Sequence, residues 1–206
     1  MKINMNNLNL KKAALVLCDL QNDFLHPKGA YGRNAVTSVE IEAVPSRMVK
    51  VANAMREAGG WVISTHFTLV PGYSGEPLIS DHLKAVRPFL TKGDFASGGW
   101  GQDIVDELKP SDAKIEKIAF SAFYMSRLEW FLRKISVDTL IFSGIVTNGG
   151  VSSTLRDAHV RDFSTILLRD GCAAFDLMTH ETAVKALEPV TQVMTCDEFI
   201  KGINIE

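Results

Sequence analysis

Thr139-Leu140-Ile141-Phe142-Ser143-Gly144-Ile145-Val146-Thr147-Asn148-Gly149-Gly150-Val151 decides how this chain folds. Thr139–Ser143 is a short β-branched and apolar run, the pattern of a strand buried on both faces. A glycine-bearing turn follows it, and Asn148–Val160 reads as a helix. Strand, tight turn and helix in that order make the repeating unit of a parallel α/β sheet.

The same rhythm extends in both directions. Strands are expected at Ala13–Cys18, Trp61–Thr65, Ala113–Glu116, Thr165–Leu168 and Val190–Thr195. Val44–Ala58 carries Val44, Met48, Val51, Ala52 and Met55 at helical spacing, and Gly59-Gly60 terminates it. Ser126–Lys134 and Glu181–Leu187 read as further helices, the latter with Thr179 as a plausible N-cap. Right-handed crossovers between these strands give a three-layer α/β/α sandwich, Rossmann-like, around a six-stranded parallel sheet. Val70–Gly101 breaks the pattern with Pro71, Gly72, Gly75, Pro77, Pro88, Gly93, Gly98 and Gly99. It reads as a long excursion with a short helix over Ser80–Val86, and excursions of that length are usually lids or binding segments.

The 206 residues, 46% hydrophobic and 22% charged, suit one sizeable core, so the expectation is a single domain over 1–206 with its core between Ala13 and Phe199. Lys and Arg number 22 against 24 Asp and Glu, a net charge of −2 that argues against nucleic acid or an anionic membrane as partner. No apolar run approaches the roughly 20 residues that span a bilayer. Met1–Leu10 is polar and unlike a secretory signal. Cys18, Cys172 and Cys196 form neither a disulfide framework nor a zinc motif. A cytoplasmic protein with no metal and no cofactor, acting on a small molecule, is expected.

In an open α/β sheet the residues just past the strand ends are the candidates for chemistry. Asp19 ends the first strand, where partial burial suits a carboxylate to proton transfer. It is equally a common capper of turns. Lys117 ends the third strand; it either holds an acid anionic and steadies negative charge, or is a solvated surface lysine. Gly149 and Gly150 open the helix after the fourth strand, where free backbone N–H groups can hold an oxyanion. The alternative is a plain strand-to-helix turn, and neither a Walker motif nor GxGxxG is present.

Four motifs in order, D-L-Q-N-D-F at Asp19–Phe24, H-P-K-G-A-Y-G-R at His26–Arg33, K-x-x-F-S-A-F at Lys117–Phe123 and G-x-x-T-N-x-x-V-x-S-T-x-R-D-A at Gly144–Ala158, resemble the isochorismatase-like hydrolases, often called cysteine hydrolases. The resemblance runs from about Ala13 to Phe199. It implies a six-stranded parallel sandwich and a catalytic trio of aspartate, lysine and cysteine, the first two falling on Asp19 and Lys117. It also implies an oxyanion site around Thr147 and Gly150, a cis peptide at Val146–Thr147, and a homodimer or homotetramer.

The resemblance departs at one position. Where amidohydrolase members carry T-N-x-C-V, this chain reads Thr147-Asn148-Gly149-Gly150-Val151, so the nucleophile position is Gly150. Three readings follow: a cysteine-independent or inactivated amidohydrolase for a small amide, ureide or carboxylate; an isochorismatase-type vinyl ether hydrolase releasing pyruvate; or a non-catalytic small-molecule-binding protein. Val146-Thr147-Asn148 resembles the amidohydrolase branch and favours the first.

Phe24, Trp100 and Phe123 are candidate apolar walls for a planar substrate, Arg33 a candidate partner for a substrate carboxylate, and His66 a candidate neutral hydrogen-bonding group. For each, ordinary packing or solvation is the competing explanation. Cys172, past the fifth strand, is a poor replacement nucleophile because it sits too far from Asp19, and Cys18 should point into the core.

Overall fold

Ala13–Cys18 forms β1, and none of its six residues reaches solvent. A strand with no polar side chain on either face is stable only between two covering layers. In the computed structural model, which describes residues 3–203, β1 lies at the centre of six parallel strands. The others are β2 (Trp61–Phe67), β3 (Ala113–Lys117), β4 (Thr139–Ile145), β5 (Ser164–Ala173) and β6 (Gln192–Met194), in the order β3-β2-β1-β4-β5-β6. The chain winds outward from β1 through β2 and β3, then returns to β4 and winds the other way. The crevice at that reversal opens at the carboxyl ends of β1 and β4, where such sheets bind ligands.

The helices are α1 (Asn22–Leu25), α2 (Ala30–Arg33), α3 (Val39–Glu42), α4 (Val44–Glu57), α5 (Asp81–Val86), α6 (Leu128–Lys134), α7 (Ser152–His159), α8 (Leu177–Leu187) and α9 (Cys196–Ile203). Alternation along β1 assigns them to two layers. Ala13, Leu15 and Leu17 pack with Met48, Val51 and Met55 of α4 and Phe199 of α9. Ala14, Val16 and Cys18 pack on the other face with Leu128 and Leu132 of α6 and Leu155 and Ala158 of α7. A third, smaller cluster joins Ala30, Tyr31, Leu69 and Phe95 with Phe24, Phe67 and Phe89. The Val70–Gly101 excursion thus carries its own apolar patch, and only α5 within it is regular.

Several boundaries differ from the sequence expectation. The helix expected over Asn148–Val160 begins as one wide turn, Thr147–Val151, before α7. Both the Gly149 and Val151 N–H groups donate to Val146 O, at 2.9 and 3.3 Å, and the two glycines leave the backbone free to take this wider path. β5 runs past Leu168 through Arg169-Asp170-Gly171, because a register shift between Phe142 and Gly144 lets pairing resume at Cys172. α8 starts earlier than expected, with Asp176 rather than Thr179 as its cap: Asp176 accepts the Thr179 N–H at 2.8 Å. Among the described residues, no helix is long and apolar enough to cross a membrane.

Candidate active site

The motif Asp19-Leu20-Gln21-Asn22-Asp23 leaves β1 and spends its polar side chains on the segments around the crevice. Gln21 donates to the Phe67 and Gln102 carbonyls, both at 2.9 Å, and accepts the Phe67 N–H at 2.7 Å. Asn22 donates to Trp100 O at 2.8 Å. Asp23 accepts the Ala30 N–H at 3.0 Å on one oxygen and the Phe95 N–H at 2.6 Å on the other. Burial pushes the Asp23 carboxyl above its ordinary range, against those two donors. The Gly101 backbone crosses directly over this carboxylate; a Cβ there would lie 2.1 Å from Asp23 Oδ2. Three side chains thus fasten the end of β2, the 29–33 turn and the 93–102 segment to one short stretch.

Asp19 itself turns into the crevice. Its φ of 56° is a left-handed conformation that aspartate tolerates better than most residues. Its Oδ2 lies 2.7 Å from Lys117 Nζ, and its Oδ1 accepts the Thr65 hydroxyl at 2.8 Å. Lys117 also donates to Ala119 O at 3.0 Å and places its ammonium 5.5 Å from the Phe67 ring centroid. Asp19 is 5% exposed and Lys117 3%. Two charges so deeply buried persist only when paired and hydrogen-bonded as these are.

Gly150 faces the pair. A Cβ built on it would stand 3.0 Å from Asp19 Oδ2, 3.6 Å from Lys117 Nζ and 3.4 Å from Ile145 O. Its carbonyl is held by the Thr154 hydroxyl at 2.7 Å, and that hydroxyl accepts the Ala122 N–H at 3.0 Å. The turn is therefore fixed beside the carboxylate without any side chain between them. Above it opens a cavity of about 280 Å³ with Asp19, Lys117 and Gly150 at its buried end. Its walls are mainly apolar, including Phe24, Tyr31, Phe67, Leu83, Phe120 and Phe175.

Asp19, Lys117, Gly150, Val146 and Phe24 all border this cavity. Other expected site residues lie elsewhere. Arg33 is bound to Asp94 at 2.7 Å, away from the cavity, so its guanidinium is already partnered. His66 is 2% exposed and holds Ser64 Oγ at 2.7 Å and Gln102 O at 2.8 Å. Strand alternation explains this, since Thr65 points to Asp19 and its neighbour must point away. Trp100 stands edge-on to His26 at 5.0 Å, in a separate shallow depression with Asn22 and Pro45. Phe123 is buried against Phe163, 5.9 Å between centroids, and Phe120 takes the cavity wall instead. The non-proline cis peptide is Ile145–Val146, one bond earlier than Val146–Thr147, where β4 ends and the wide turn begins. Thr147 is fully buried, its hydroxyl 2.8 Å from His180 Nδ1. Cys172 sits within β5, its Sγ 4.0 Å from Phe142 O, and burial holds its thiol well above the ordinary range.

Thr65, Tyr31 and Arg87 are site residues that the sequence does not single out. Thr65 was readable in principle, as a hydroxyl residue at the carboxyl end of a strand beside β1. The others belong to segments whose path no periodicity specifies.

A model of the isochorismatase domain matches residues 13–198. The chain belongs to the isochorismatase family. This isochorismatase-like hydrolase is 31% identical over 176 residues to the ureidoacrylate amidohydrolase RutB of Acinetobacter baylyi, covering 79% of this chain and 71% of that protein. It is 33% identical over 186 residues to the ureidoacrylate amidohydrolase RutB of Methylorubrum extorquens, covering 84% and 72% respectively. A cysteine hydrolase from Pseudomonas syringae pv. phaseolicola shares the fold with a TM-score of 0.81 at 24% identity, over 95% of this chain and 94% of that one. The N-carbamoylsarcosine amidase of Thermoplasma acidophilum matches with a TM-score of 0.71 at 25% identity, over 90% and 97%. Among the described residues, no three His, Cys, Asp or Glu side chains gather as a metal site would require.

Proposed function

We propose that this hydrolase cleaves the C–N bond of a small amide or ureide, using water where its cysteine-bearing relatives use a thiol. The observation that carries the reading is the placement of Gly150: the space a side chain would occupy lies against Asp19 Oδ2 and Lys117 Nζ, at the buried end of an apolar cavity. Similarity to two ureidoacrylate amidohydrolases supports C–N chemistry over ether chemistry.

A water molecule beside Gly150 has Asp19 as its acceptor. Asp19 takes a proton as the water oxygen bonds to the substrate carbonyl carbon, and the carbonyl π pair moves onto oxygen. Backbone N–H groups of the Thr147–Gly150 turn are the candidate donors to that oxyanion. The oxyanion then reforms the carbonyl, the C–N bond breaks, and Asp19 returns the proton to the departing nitrogen. Lys117, 2.7 Å from Asp19 Oδ2, orients the carboxylate and supplies positive charge close to the reacting atoms.

Gly150 also favours a second reading. Vinyl ether hydrolysis needs a proton donor and water but no nucleophilic side chain, and it would release pyruvate. The two are separated by assaying ammonia from small amides and ureides, and pyruvate from an enolpyruvyl ether, with the chain as it stands and with Gly150→Cys. Ammonia from the unaltered chain supports the water mechanism. Ammonia from the cysteine variant alone marks an inactivated thiol enzyme, pyruvate marks the ether reaction, and silence throughout leaves a binding protein; each of these three overturns the proposal.

A further inference from the structure

We infer that Arg87 receives a carboxylate at the open end of the cavity, so that the substrate is a small amido or ureido acid with its reacting bond and its anionic group at opposite ends. The inference rests on the reading of this cavity as the substrate site. It starts from what the cavity offers a ligand. Asp19 and Lys117 neutralise each other at the buried end, and the walls between are largely aromatic and aliphatic. Arg87, half-buried, brings a further fixed charge to the lining.

That charge is held in place, and among the described residues it has no counter-ion. Arg87 Nε donates to the Tyr31 hydroxyl in a short hydrogen bond, and its guanidinium carbon lies 6.0 Å from the Tyr31 ring centroid. Tyr31 is 2% exposed and fixed by Phe24 at 4.8 Å and Phe89 at 5.1 Å between ring centroids. The Arg87 N–H closes α5 on Leu83 O at 2.9 Å, and Pro88 stops the helix there. None of the ion pairs among the described residues includes Arg87, and its two terminal nitrogens meet no acceptor there. Arg33, by contrast, is already taken by Asp94.

A planar fork with two free donors matches a carboxylate in bidentate geometry. A neutral ligand filling the cavity would exclude water from that fork and give it nothing in return, which penalises neutral substrates. Tyr31 is the positioning residue: it lines the same cavity, and its hydroxyl takes Nε and leaves the two terminal nitrogens for a ligand.

The test is a matched pair, 3-ureidopropionate and its methyl ester, measured by calorimetric binding and by ammonia release. The unaltered chain should bind the acid at least tenfold more tightly than the ester. Arg87→Met should collapse that ratio towards one through loss of acid affinity, with KM for the acid rising more than kcat falls. Arg87→Lys should retain part of the preference, and Tyr31→Phe should narrow it. Circular dichroism melts keep a folding defect from passing as a specificity change. Equal binding of acid and ester by the unaltered chain, or a preference that survives Arg87→Met, overturns the inference and leaves the amide-hydrolase reading standing. If neither compound nor any neutral amide binds, both fall.

Discussion

Thr65 reaches across from β2 to donate its hydroxyl to Asp19 Oδ1 at 2.8 Å, leaving the other carboxylate oxygen to Lys117 and the cavity. β1 and β2 pair in parallel with Cys18 opposite Thr65, so the contact follows directly from register. It fixes which oxygen of Asp19 faces Lys117 and the space at Gly150, a matter of orientation as much as of charge.

Thr65→Val keeps the shape of the side chain and removes the donor. Hydrogen bonds to charged groups contribute about 1.5–3 kcal/mol, so kcat should fall roughly tenfold to hundredfold. KM should change much less. Thr65→Ser, which keeps the donor, should retain most of the activity that Thr65→Val loses. An unchanged kcat in Thr65→Val would remove Thr65 from the orientation of Asp19.

Asp23 is the fastening point for the cavity walls. Asp23→Ala leaves the Ala30 and Phe95 N–H groups buried without an acceptor, at a cost of about 2–6 kcal/mol from the usual penalty per orphaned group. Urea denaturation measures the loss, and amide exchange should rise at Ala30 and Phe95 before it rises in β1. Exchange confined to global unfolding would show that the carboxylate does not tie these segments.

His66 sets a pH limit on stability. Burial lowers its pKa below the ordinary value of 6.5, so the folded state refuses a proton that the unfolded chain accepts. Above that value both states are neutral and His66 contributes no pH dependence. As pH falls below about 6.5, the unfolded state is favoured progressively, until the lowered folded-state pKa is reached. Melting temperature should therefore decline over that window, and His66→Gln should flatten part of the decline. Identical slopes in the two proteins would contradict it.

The sheet was legible because its central strand, Ala13–Cys18, is apolar throughout and its neighbours carry short apolar runs separated by helices with clear periodicity. Asp19, Lys117 and Gly150 were legible as site candidates because strand ends converge at the switch in strand order. The failures share a cause. Arg33 and Arg87 are both arginines in irregular segments, and only the folded path shows that Asp94 takes one and the cavity receives the other. Trp100 and Phe123 were chosen for chain proximity to the motifs, whereas the direction of each ring is set by packing with His26 and Phe163. The expected fifth strand stops at Leu168, since the register shift that lets it continue to Ala173 leaves no mark on local composition.

The central claim is that Asp19 moves the proton during C–N hydrolysis, and Asp19→Asn tests it most directly. The substitution keeps the shape beside Lys117 and Thr65 and removes the base. Ammonia release from 3-ureidopropionate, followed under single-turnover conditions, should be present in the unaltered chain and fall by roughly 10²–10⁴ in the variant, with substrate still bound. Release that continues undiminished in Asp19→Asn would contradict the account at its foundation.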